Sequence, residues 1–103
     1  MTKTAVLSVI NMYKKKLKEA GVPVERVILF GSHAKGTAHK WSDIDTCVIS
    51  RTFGHDRHSE RLMLMKLTES ETERIEPHPY SPNDLTNRFD PLANEIRRNG
   101  ITV

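Results

Sequence analysis

Residues 27–50 read VILFGSHAKGTAHKWSDIDTCVIS: an apolar run, a small-residue turn, a polar loop and two aspartates entering a second apolar run. On an extended strand, residues two apart point to the same face and lie about 6.6 to 6.8 Å apart along the chain. Asp43 and Asp45 are therefore aimed at one place. Carboxylate oxygens are the preferred ligands of hard cations, and Mg²⁺ typically takes one or two of them and fills its shell with water and substrate phosphates. A divalent metal is the expected occupant. Gly31 and Ser32, ten residues ahead of this pair, end the first apolar run. A turn there places a hydroxyl and unpaired backbone N–H groups just beyond a strand, an arrangement suited to an anion and equally found in ordinary strand-to-helix connections.

The remaining segments read as a frame around that stretch. In Thr4 to Ala20, Val6, Ile10, Tyr13, Leu17 and Ala20 recur at three- and four-residue steps, which predicts an amphipathic helix ended by Gly21 and Pro23. Val24 to Phe30 is short and mostly apolar, as a strand covered on both faces would be. Ser32 to Lys35 has room for only a short helical turn before Gly36, and Thr37 to Trp41 is polar loop. On the second strand Asp43, Asp45, Cys47 and Ile49 share one face. Arg51 to His58 is loop, in which His55 and His58 read as solvated. Arg57 to Ser70 is a predicted helix with Leu62, Met65 and Leu67 toward the core and Met63 and Leu64 widening the stripe.

Arg74 to Tyr80 is a third strand. Pro77 and Pro79 remove donors from alternate residues, so one side of it must be unpaired and the strand belongs at an edge. Glu76 and His78 share the other alternation, and Glu76 is the carboxylate that a neighbouring strand could present to Asp43 and Asp45. Ser81-Pro82-Asn83-Asp84 reads as a helix start, and Asp90-Pro91 as another that Asn99-Gly100 ends. The fold class expected is α/β (α+β), with a small mixed sheet of about three strands packed on helices, and residues 1–103 forming a single domain.

Composition narrows the function classes. With 37% hydrophobic and 28% charged residues, and no apolar run near the roughly 20 residues of a membrane span, the chain is expected to be cytoplasmic and without a membrane contact. Residues 5–12 are too short and polar for a signal peptide. One cysteine, Cys47, allows no disulfide framework and reads as a buried thiol. The formal charge of +3 would suit nucleic acid. However, Lys14, Lys15, Lys16 and Lys18 cluster near one helix end, where they also complement the helix dipole, so a nucleic-acid surface is not the expectation.

The Gly31-Ser32 turn, the Asp43-Ile44-Asp45 strand and the strand-turn-strand background between them resemble the signature of the DNA polymerase beta-like nucleotidyltransferase superfamily. Size and layout resemble its minimal members, the MNT or MntA-like proteins. The resemblance implies transfer of a nucleoside monophosphate, AMP from ATP, to a hydroxyl, with release of pyrophosphate. It assigns Asp43, Asp45 and Glu76 to catalysis and to a two-metal Mg²⁺ site, and Gly31, Ser32 and Lys35 to the nucleotide, with His33 in the same basic region. The family's third carboxylate is usually an aspartate; here Glu76 stands in its place, with Asp84 as the alternative. The implied partners are ATP or another nucleoside triphosphate and a small helical protein of the HEPN type, an RNase toxin silenced by AMP transfer. A homo-oligomer is compatible with this. The alternative is a subunit of the same fold that neutralises its partner by contact without turnover.

Overall fold

A computed structural model describes residues 1–103. The chain runs α1 (Lys3–Glu19), β1 (Arg26–Phe30), α2 (Ser32–Lys35), β2 (Ile44–Ile49), α3 (Arg57–Lys66), β3 (Ile75–Tyr80), a 3-10 turn (Asp84–Thr86), α4 (Pro91–Asn99) and β4 (Ile101–Thr102). The four strands form one mixed sheet in the order β3-β2-β1-β4, with β1 antiparallel to β2 and β4, and β2 parallel to β3. The sheet thus has four strands rather than three. The fourth is two residues long, too short to leave a pattern in sequence.

Alternation along the strands sorts the core into two halves. Val27, Leu29, Ile44, Val48 and Ile75 face α1 and α3, where Val6, Ile10, Tyr13, Leu17 and Leu64 meet them. Ile28, Phe30, Cys47, Ile49 and Tyr80 face Leu85 and the α4 residues Ala93 and Ile96. Helices cover both faces, which is why β1 and β2 read as nearly continuous apolar runs. The Cys47 thiol is fully buried, and burial pushes it up to about 12, the inert core thiol expected. No helix is long and apolar enough to cross a membrane.

α1 follows its periodicity, capped by Thr2. α3 departs from it. The helix stops at Lys66 rather than Ser70, because the Thr68 hydroxyl donates to the Met65 carbonyl and Thr72 ties back to Glu69 in a turn. Its buried residue is Leu64, while Leu62, Met63 and Met65 are exposed. A ten-residue helix laid on the outermost strands buries one narrow face, and the wide apolar stripe overstated its contact. The helix expected from Ser81 is only a 3-10 turn. There Ser81 Oγ accepts from the Asp84 N–H, and the Thr86 hydroxyl donates to the Asn83 carbonyl, side-chain bonds that compete with helix propagation.

One further contact fixes the packing within each half. Tyr13, fully buried, donates its hydroxyl to the Leu64 carbonyl at 2.7 Å, tying α1 to α3. Tyr13→Phe is expected to destabilise the fold by about 0.5–1.5 kcal/mol, the net worth of one hydrogen bond, because the Leu64 carbonyl keeps the Leu67 N–H as a donor; the loss reads as a lower urea midpoint at unchanged slope. Gly100 turns α4 directly into β4: a Cβ there would overlap the Ile96 carbonyl oxygen and come within 2.6 Å of Ile28 Cγ2.

Candidate active site

Strand register assembles the site. Phe30, the last residue of β1, lies opposite Asp45 on β2, and Asp45 lies opposite Glu76 on β3. The Gly-Ser turn, the aspartates and Glu76 therefore come to one end of the sheet, on the face that also carries Phe30 and His78. Asp43 sits one residue before β2 and is exposed; Asp45 and Glu76 are half-buried. Asp43 is steadied by the turn ahead of it, where Ser42 Oγ accepts from the His39 N–H at 2.9 Å and the Ser42 N–H donates to the His39 carbonyl at 3.1 Å.

Gly31 joins the two halves of the motif. Its φ of 74° and ψ of −153° lie in a region that only glycine occupies readily, and a Cβ added there would overlap Asp45 Oδ2. Backbone and carboxylate are in direct contact, so any side chain would displace the aspartate. α2 then runs only from Ser32 to Lys35, stopped by the left-handed Gly36.

Electrostatics single out Glu76. Its carboxyl is pushed above the usual range by partial burial, then by the charges of Asp43 and Asp45 and a hydrogen bond with Asp45, while Arg61 pulls the other way. Arg61 Nη2 stands 3.6 Å from Glu76 Oε1, and its Nε is buried without a partner. His78 Nε2 stands 3.7 Å from Asp45 Oδ1, with its ring edge-on to Phe30 at 5.3 Å. Neither His78 nor Arg61 was singled out as a site residue. His78 was legible as the strand neighbour two beyond Glu76; Arg61 was not, because nothing local ties a helix residue to that strand.

Because its folded-state pKa is raised, Glu76 contributes stability that is present below its unfolded value of about 4.3 and lost as pH rises through the folded value. At neutral pH and without divalent metal, Glu76→Gln is therefore expected to be at least as stable as the parent, measured by urea unfolding. A clear loss would mean that the Arg61 pair outweighs carboxylate repulsion.

Other expectations are redistributed. Lys35 Nζ is 3.2 Å from Glu95 Oε1 of α4, and His33 Nε2 lies 3.3 Å from the Ser42 carbonyl, contacts that position both beside the Gly-Ser turn. Asp84, which accepts from the Ser81 N–H and pairs with Arg57, lies beyond Tyr80 at the other end of β3 from the Asp45–Glu76 pair. His55 and His58 are exposed.

The donor set is chemically right for a hard cation: three carboxylates at one end of a sheet. No three His, Cys, Asp or Glu side chains are already converged as a cage. Mg²⁺ needs only one or two protein carboxylates when water and phosphates complete its shell, so Asp43, Asp45 and Glu76 fit it. Asp43 is exposed and Asp45 and Glu76 are half-buried, so all three reach solvent at this end of the sheet.

The family model for the nucleotidyltransferase domain matches residues 10–90. No curated protein matches the chain. Among solved structures, a toxin-antitoxin crystallised with AMP-PNP is 21% identical with a TM-score of 0.61, covering 99% of this chain and 72% of that one. A protein from Sulfolobus solfataricus described as a nucleotidyltransferase candidate is 19% identical with a TM-score of 0.57, covering 99% of this chain and 87% of that one. At these identities the likeness is one of fold.

Proposed function

We propose that this chain, which belongs to the nucleotidyltransferase domain family, transfers AMP from ATP to a hydroxyl of a protein partner and acts as the antitoxin of a toxin-antitoxin pair. The contact of Gly31 with Asp45 carries the proposal, because it brings the phosphate-binding turn and the metal-ligating strand into one site. The toxin-antitoxin neighbour with its bound nucleotide analogue supports the choice of ATP and of a partner; the HEPN type rests on the resemblance in sequence.

In the reaction, the acceptor oxygen bonds to the α-phosphorus, the bond from that phosphorus to the bridging oxygen breaks, and pyrophosphate leaves with its electron pair. Gly31 and Ser32 bind the outer phosphates, the glycine allowing backbone to approach them closely. Asp43, Asp45 and Glu76 would hold Mg²⁺, which when bound neutralises the triphosphate and lowers the pKa of the attacking hydroxyl. Glu76, opposite Asp45 on the neighbouring strand, accepts the acceptor's proton. His78 restrains Asp45, and Lys35 ties α2 to α4 through Glu95. Positioning and charge neutralisation supply the catalysis.

Glu76→Gln is expected to abolish transfer while ATP·Mg²⁺ binding stays within about tenfold, roughly 1.4 kcal/mol, because the triphosphate-bound ion depends mainly on Asp43 and Asp45. Unchanged transfer would remove Glu76 from the mechanism. The Arg61–Glu76 pair favours a second reading, an antitoxin that acts by contact alone. The two separate by mass: a catalytic antitoxin adds AMP to the partner, which stays inactive after this chain is removed, whereas a steric one leaves its mass unchanged.

A further inference from the structure

The lysine cluster of α1 is divided by the fold. Lys16 turns to one side and pairs with Glu69 at 2.6 Å. Lys14, Lys15 and Lys18 line a groove of about 850 Å³ between the second half of α1 and the outer edge of the sheet, floored by Val22, Val24 and Val103. Lys14 Nζ donates to the Val103 carbonyl at 2.9 Å and holds Val103 against the helix. Lys15 and Lys18 are exposed and have no carboxylate within ion-pair distance. Glu25, the acid on the groove wall, is held by Arg51 at 2.7 Å, and Arg26 adds a further cation at the rim. The groove carries strong uncompensated positive charge. It also lies at the far end of β1 from the candidate active site, since Arg26 begins that strand and Phe30 ends it.

Its lining decides what kind of anion fits. Single-stranded nucleic acid is held by cations together with aromatic rings on which bases stack, and no aromatic residue lines this groove. An aliphatic floor with a cationic rim instead has the anatomy of a protein interface. The groove runs beside β4, the last strand of the sheet, whose outer edge has no strand on it and is open to strand addition. On an added strand, alternate residues lie about 6.6 to 6.8 Å apart, close to the roughly 5–6 Å between helix neighbours such as Lys14 and Lys18 or Lys15 and Lys18.

We infer that this groove docks an extended acidic segment of a partner protein, with its carboxylates on Lys15 and Lys18 and the intervening apolar side chains on the valine floor. The site is independent of nucleotidyl transfer and needs neither ATP nor metal.

The test selects short random peptides by display on the full chain, without nucleotide or divalent ions, and measures the selected peptides by fluorescence polarisation. Acidic residues alternating with aliphatic ones are expected to be enriched. Combining Lys15→Gln with Lys18→Gln should weaken them about tenfold, while Lys16→Gln, on the same helix but outside the groove, changes affinity little. The thermal midpoint of each variant shows that it is folded, and adding Thr102→Pro, which blocks strand addition, gives a second route to the same loss. No enrichment, peptides without acidic excess, or equal effects of Lys16→Gln and the double variant would overturn the inference. So would random single-stranded RNA binding more tightly than the selected peptides and losing affinity in the double variant, which would make the groove a nucleic-acid surface.

Discussion

Asp45→Asn is expected to lower AMP transfer by at least about a thousandfold, some 4 kcal/mol of transition-state stabilisation, and to erase the difference in ATP affinity measured with and without Mg²⁺. Asparagine keeps the size of the side chain but removes the charge that a divalent ion requires. Asp45 connects the strands and the turn of the site: it lies opposite Phe30 and Glu76 in the sheet, against Gly31 and beside His78. Asp43, exposed and one residue before the strand, should follow in the same direction. Calorimetric titration of ATP into parent and variants, with Mg²⁺ or with chelator, reads the binding half of this expectation without any acceptor. A Mg²⁺ effect that survives in Asp45→Asn would place the metal elsewhere.

Gly31→Ala should be the most damaging change in the Gly-Ser turn. The backbone conformation costs a non-glycine residue of order 1–3 kcal/mol, and the new Cβ would overlap Asp45 Oδ2, so the variant both loses stability and misplaces the aspartate. Gly36 provides the control. It also has a positive φ, but a Cβ there meets nothing within 4 Å. Gly36→Ala should therefore lower the thermal midpoint yet retain Mg²⁺-dependent ATP binding at temperatures where it is folded, whereas Gly31→Ala should lose that binding even when folded. Equal retention in both would separate Gly31 from the nucleotide site. Ser32→Ala is a milder companion, expected to weaken ATP more than AMP because the contact proposed for it is with the outer phosphates.

Much of the sheet was legible because its signals are local. Pro77 and Pro79 placed β3 at an edge, and the spacing of Asp43 and Asp45 put them on one face with Cys47. The identity of the neighbours was not local. That Glu76 stands opposite Asp45 depends on the register of a parallel pair, which no hairpin turn fixes. The approach of Gly31 to Asp45 is likewise a consequence of β1 and β2 pairing at Phe30. α3 misled because an apolar stripe reports what a helix could bury, not how much surface the sheet offers it; Leu62, Met63 and Met65 stay in solvent. The partner of Lys35 was not local either: Glu95 arrives from α4, sixty residues further on. β4 left no trace beforehand, since only the Gly100 turn delivers its two residues to β1.

The central claim is that the bond made here joins the α-phosphorus of ATP to a protein hydroxyl. Purified chain is incubated with Mg²⁺, a small helical HEPN-type RNase as acceptor and ATP labelled in either the α or the γ phosphate. Label from the α position should appear covalently on the partner, with release of pyrophosphate and loss of RNase activity, and should be absent with Asp45→Asn. Label arriving from the γ position, or inhibition of the partner with neither label attached, would contradict it.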